Sequence, residues 1–220
     1  MSDKSNITYK QELLRKSIHL MSLSIPISYI FLTKETMLYI FIPFAIAITL
    51  FDILSQRVKF FTKLLLSFFG KMLRPHELRG EGTFNGATWV IISAAICVAI
   101  FPKVIMITGF TILIISDIFA ALIGRKYGKR PLFDKSWEGT ASFIITAMLI
   151  VFIYYSVFSL PNSYLIAGVV AAIVGGFVEA VSNVVKVDDN FSIPISVGVV
   201  MLIFEYFYSQ IGQSFLYLIN

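Results

Sequence analysis

The chain has 220 residues, 57% of them hydrophobic and only 14% charged, with a mean hydropathy of +0.83. A soluble domain is closer to half apolar and a quarter charged, so the composition excludes an ordinary soluble enzyme and leaves no room for a sizeable soluble domain. The net charge of +5 is spread over connecting segments with no aromatic-studded basic domain, which argues against nucleic acid as a partner.

The apolar residues fall in runs of about 20, the length of a helix that crosses a bilayer core. They predict an all-α, polytopic helical membrane bundle. About seven transmembrane helices are expected, at roughly 14–33, 36–54, 84–101, 104–124, 140–159, 163–183 and 192–211, with residues 1–220 forming a single membrane-embedded domain. Met1 to Gln11 is polar, and the run that follows lacks a small-residue cleavage pattern, so the first span reads as a retained signal anchor. The single cysteine, Cys97, lies inside the third run. It reads as a small core residue and excludes an internal disulfide or a Cys-rich metal site.

Gln56 to Arg74 has a different pattern. Phe61, Leu64, Leu65, Phe68, Phe69 and Met72 recur at helical spacing, with Lys59, Lys63 and Lys71 opposite. This predicts one amphipathic helix lying in the membrane interface. The positive-inside rule then orients the chain. Lys4, Lys10, Arg15 and Lys16, the basic residues from Arg57 to Arg79 and from Arg125 to Lys135, and Lys186 fall on one side, against Lys34 and Lys103 on the other. The N-terminus is expected in the cytoplasm, and every candidate motif shares that side. A secondary transporter often shows two matched halves; no internal repeat is evident here.

Four constellations carry candidate chemistry. Glu12, Arg15, Lys16 and His19 share one helix face at the start of the first span. Arg15 and Lys16 alone would also serve as topology anchors, but His19 lies a turn deeper, where it would reach a phosphate or a reacting hydroxyl. Asp117 ends the fourth run, and an ionised acid there needs cations or a metal as partners. Either a structural ion pair with Arg125 or another span, or a role in Mg²⁺ ligation or hydroxyl deprotonation, satisfies that need. The loop Gly124-Arg125-Lys126-Tyr127-Gly128-Lys129-Arg130 is followed by Lys135-Ser136-Trp137-Glu138-Gly139. It offers backbone amides and cations to phosphates, with Ser136 placed to cap the next helix and Glu138 in its first turn. Finally, Glu179 with Asn183, then Asp188, Asp189 and Asn190, supply oxygen ligands of the kind Mg²⁺ takes together with phosphates. Asn85, with Gly82, Gly86 and Thr88, opens the third span. Asp52 reads as a local ion pair with Arg57, and His76 gives no functional signal.

Together these motifs resemble the CTP-dependent lipid-alcohol kinases, the family of dolichol kinase, phytol kinase and the yeast-type diacylglycerol kinase. The resemblance rests on Arg15-Lys16-x-x-His19, Gly82-x-x-x-Gly86-Ala87-Thr88, and Asp117-x-x-Ala120-Ala121-x-x-Gly124-Arg125-x-x-Gly128. Lys135-Ser136-x-Glu138-Gly139, Glu179 and Asp188-Asp189-Asn190-x-x-x-Pro194 extend it. It implies a single catalytic domain that moves the γ-phosphoryl group of CTP to the hydroxyl of a membrane lipid alcohol, with Mg²⁺ as cofactor. CTP, the lipid alcohol and the bilayer are the implied partners, and a homo-oligomer is left open. On that pattern Asp117, Arg15, Lys16 and His19 are the catalytic candidates, with Asp117 preferred over His19 as the base. Asn85, Gly124, Arg125, Gly128, Lys129, Lys135, Ser136, Glu138 and Gly139 would bind nucleotide, and Asp117, Glu138, Glu179 and Asp188 would hold the metal. The related phosphatidate cytidylyltransferases carry a later His-Gly-Gly…Asp-Arg signature. This chain has Glu179 and Asp188-Asp189-Asn190 there, which favours the kinase over a CDP-lipid synthase; the missing repeat and the confinement of polar residues to one membrane face argue against a transporter using Asp117 and Glu179 as ion sites.

Overall fold

The computed structural model describes residues 9–70 and 84–216. Lys4, Lys71, Met72, Arg74, His76, Arg79 and Gly82 lie outside the described residues, as do the side chains of Lys10, Phe68 and Phe69. The described elements run α1 (Tyr9–Met21), α2 (Ser24–Phe31), α3 (Lys34–Arg57), α4 (Lys59–Phe69), α5 (Gly86–Ile100), α6 (Lys103–Tyr127), β1 (Pro131–Leu132), β2 (Lys135–Ser136), α7 (Trp137–Val157), α8 (Asn162–Val185) and α9 (Asp189–Gln210). The fold is an all-α bundle of membrane type, broken among the described residues only by a two-residue antiparallel hairpin that pairs Pro131 with Ser136 and Leu132 with Lys135.

Helix starts follow from side chains that accept backbone amides otherwise left without a partner. Thr33 accepts from Thr36 N, Asn85 from Thr88 N, Ser136 from Gly139 N and Asp188 from Asn190 N. Five helices, α3 and α6 to α9, are long and apolar enough to cross a bilayer; α5 is apolar but has 15 residues. The chain is an integral membrane protein. The first expected span is not one helix. Ser22 N and Leu23 N bond three residues back, to His19 O and Leu20 O, and the axis restarts as α2. The cause is Pro26, whose ring would clash with the carbonyl of Ser22 in a continuous helix but is tolerated in the first turn of a new one. The expected interfacial helix corresponds to α4, joined to α3 through the single residue Val58.

The core is built around α6, where a continuous run from Val104 to Ile114 is buried. Helices α7, α9, α2 and α1 surround it, α8 packs on α7 and α9, and α3 pairs with α5 outside them. This arrangement brings the C-terminal end of α6, the hairpin, the N-termini of α5, α7 and α9 and the C-terminal end of α8 to one end of the bundle. All the candidate residues lie there.

Candidate active site

Glu12 on α1 is the anchor of the first cluster. It is 2% exposed and takes Arg15 Nη2 on Oε1 at 2.6 Å and Arg125 Nη2 on Oε2 at 3.5 Å. One turn on, Lys16 Nζ donates to Asp117 Oδ2 of α6, both side chains being buried. His19 Nε2 lies 3.6 Å from the same Asp117 oxygen. Among the described residues that nitrogen has no hydrogen-bond partner, and neither does Arg15 Nε. Removing charges from water costs several kcal/mol each and is tolerated here because each has an opposite partner. The i, i+3, i+4, i+7 spacing read from the sequence is what puts all four on the α6 side of α1.

The second cluster forms on the other flank of Asp117. Lys135, on β2, donates to Glu179 Oε1 of α8 at 2.5 Å and lies 3.8 Å from Asp189 Oδ2 at the start of α9. Burial works against the Lys135 ammonium. Asp189, Glu179 and Asp117 outweigh it and hold its pKa above the ordinary lysine value, so it is a cation at neutral pH. Glu179 is buried, and among the described residues its Oε2 has no partner. The clusters are coupled: Asp117 interacts electrostatically with Lys135, and Asp189 with Arg15 and His19.

The other expected site residues fall in three places. Ser136 caps α7 as the sequence predicts, and Gly139 N donates to its hydroxyl at 3.2 Å. Gly124 and Gly139 meet where α6 crosses α7. A Cβ on Gly139 would lie 3.0 Å from Ala120 O and 3.2 Å from Gly124 Cα, so these glycines serve the close approach of two helices. Gly128 packs against Ser136 in the same corner. Lys129 and Arg130 are exposed, and their amides donate to the Glu138 carboxylate at 3.1 and 3.3 Å. Asn85 caps α5 and donates its own N–H to buried Asp52 at 2.8 Å, so Asp52 serves a backbone amide in place of the expected local pair with Arg57.

Asp188 Oδ1 accepts from both the backbone and the side-chain nitrogen of Asn190, as a helix cap, while Asp189 is the acid beside Lys135. Glu138 accepts from the loop amides of Lys129 and Arg130. Glu12 and Asp189, read from the sequence as members of the first and fourth constellations, both stand in the clusters. Among the described residues no three His, Cys, Asp or Glu side chains form a metal cage. A magnesium ion is often held by one or two carboxylates and substrate phosphates, and buried Asp117 with the unpartnered Glu179 Oε2 fits that demand.

A cavity of about 190 Å³ opens beside the first cluster. Arg15, Lys16, His19 and Asp117 line one side, with Asn85 and Asn190 at its rim. Lys135, Glu179 and Asp189 do not line it.

The chain is similar to three curated proteins that bear on this site. It is 30% identical over 193 residues to the uncharacterised protein RP860 of Rickettsia prowazekii, covering 87% of this chain and 94% of that one. It is 26% identical over 170 residues to CTP-dependent diacylglycerol kinase 1 of Saccharomyces cerevisiae, covering 68% of this chain and 58% of the yeast protein. The Schizosaccharomyces pombe protein of the same name is 25% identical over 156 residues, 66% of this chain and 70% of that one. No protein-family model and no solved structure matches the chain.

Proposed function

The chain belongs to the family of the Rickettsia protein RP860, and from that premise, with its distant homology to the fungal CTP-dependent diacylglycerol kinases, we propose that it is a CTP-dependent lipid kinase with one membrane-embedded catalytic domain. The observation that carries this reading is the meeting of two lysine–carboxylate pairs from four distant segments, buried Lys16 with Asp117 and half-buried Lys135 with buried Glu179, at one end of the bundle. Transfer of a phosphoryl group needs mainly positioning and charge stabilisation. Cations and acids side by side, just inside a bilayer, suit a metal-bound triphosphate next to a lipid headgroup.

In this reading Lys135, the hairpin and the capped start of α7 receive the phosphates, since a helix N-terminus favours anions. Arg15 and Lys16 neutralise charge developing on the transferred group. The magnesium ion would be held by Asp117 and Glu179 with Asp189 beside them, and when bound it screens the β- and γ-phosphates. The lipid hydroxyl oxygen bonds to the γ-phosphorus, the bond from the γ-phosphorus to the β,γ-bridging oxygen breaks, and CDP leaves with that electron pair. The hydroxyl proton passes to His19 Nε2. Asp117 already accepts from the Lys16 ammonium, so in this reading its carboxylate places Lys16 and the magnesium ion and leaves the proton to His19. The active site faces the cytoplasm, where nucleotide is found.

The test is incubation of the purified chain with Mg²⁺, a panel of lipid alcohols together with phosphatidate, and CTP labelled either at the γ- or the α-phosphate. Transfer of γ-label alone, with CDP as co-product and loss of transfer on chelation, is the expected result. Transfer of α-label with release of pyrophosphate would establish a cytidylyltransferase instead.

A further inference from the structure

The two clusters around Asp117 differ in what surrounds them. Lys135, Glu179 and Asp189 face one another where β2, α8 and α9 meet. The cavity on the other flank is walled by Ile18, Ile48, Phe51, Leu65 and Val90, from α1, α3, α4 and α5. Its two cations are already committed, Arg15 to Glu12 and Lys16 to Asp117. A triphosphate is badly matched to such walls, because burying its charge against hydrocarbon carries a large desolvation penalty. An alcohol on an apolar body is well matched. The polar atoms of Arg15 Nε and His19 Nε2, buried and without hydrogen-bond partners among the described residues, belong to two residues on the cavity wall. Buried polar groups are normally hydrogen-bonded, and a hydroxyl oxygen in the cavity supplies what these two lack.

One wall of this cavity is thin. Leu65 comes from α4, whose packing is mainly on α3. A hydrogen bond from Thr62 Oγ1 to Ser55 O at 2.6 Å and an edge-to-face contact of Phe61 on Phe51 at 5.8 Å join the two helices. Phe60 and Leu66 of α4 are exposed, as an interfacial helix presents them to lipid. Ser22, Asn85 and Asn190 also stand on the wall, and two of them are already engaged, Asn85 Oδ1 by Thr88 N in the α5 cap and Asn190 Nδ2 by Asp188.

We propose that this cavity is the acceptor pocket, entered from the bilayer past α4, and that it seats the hydroxyl of a lipid between Arg15 Nε and His19 Nε2 with its apolar body along the cavity wall. The proposal rests on the kinase reading above for the identity of the acceptor, and adds where the acceptor binds and how it enters. Asn85 then belongs to the acceptor side, not to the nucleotide.

The test uses the full chain in lipid nanodiscs and a diacylglycerol with a diazirine near the start of one acyl chain. Light should attach it to peptides carrying Phe51, Leu65 or Val90. Ala87 is exposed at the cavity wall, so Ala87→Phe should reduce labelling at least fivefold while CTP binding stays within twofold; Leu65→Trp should do the same from α4. Labelling confined to the outer faces of α8 and α9, or an Ala87→Phe variant that loses CTP binding and keeps labelling, overturns the pocket. If the cavity is labelled and no phosphate moves from CTP to any lipid, the pocket stands and the kinase reading fails. If phosphate moves and the cavity stays unlabelled, the reverse holds.

Discussion

Asp117 and Lys16 bind α1 to α6 and also sit where the chemistry is proposed, so the two roles need separating. Removing one member of a buried pair leaves the other charge without compensation, at a cost of about 3–5 kcal/mol, whereas replacing both by apolar groups is often close to neutral. Asp117→Asn and Lys16→Met should therefore each lower thermal stability in detergent, and the double variant Lys16→Met/Asp117→Leu should recover most of it. All three should be inactive, with γ-phosphoryl transfer down by on the order of 10³-fold or more, because charge stabilisation rather than folding has been lost. Activity that returned together with stability in the double variant would reduce the pair to a structural strut. The same logic assigns Glu12 a positioning role. It touches no proposed reacting atom, yet it fixes Arg15 from one side and Arg125 from the other.

Between elements, the crossing of α6 and α7 sets where the phosphate side of the site stands. Gly139 is in the first turn of α7, directly after the Ser136 cap, and its α-carbon faces Ala120 O and Gly124 across the crossing. Gly139→Val should push α7 outward, cost about 1–3 kcal/mol through overpacking, and raise KM for CTP more than for the lipid. A change confined to the lipid's KM would put the nucleotide elsewhere. Such a crossing shows how far the sequence is readable. The apolar runs are legible as helices because length and hydropathy are local properties, and the cap at Ser136 is legible because it acts within four residues. The break between α1 and α2 is hidden inside a continuous apolar run and is visible only through Pro26. The pairing of Lys16 with Asp117 and of Lys135 with Glu179 spans 101 and 44 residues. It depends on helix register that no local pattern encodes. The choice of Asp189 over Asp188 depends on a cap one residue away, a detail that periodicity does not resolve.

Across the whole molecule, the charges sort by side. The bundle end that holds the clusters also carries Lys186, in the left-handed turn that closes α8, while Lys34 and Lys103 open α3 and α6 at the other end. Cytoplasmic loops retain Lys and Arg, so the clustered end should face the nucleotide pool. The chain is well suited to a direct test, because its single cysteine, Cys97, is buried in α5 and should be silent to reagents in water. Lys186 and Lys34 are both exposed. In sealed right-side-out vesicles a membrane-impermeant maleimide should label Lys34→Cys and spare Lys186→Cys, and in inverted vesicles the pattern should reverse. If Lys186→Cys reacts from outside, Lys135, Glu179 and Asp117 face a compartment without CTP, and the kinase has no donor at its site.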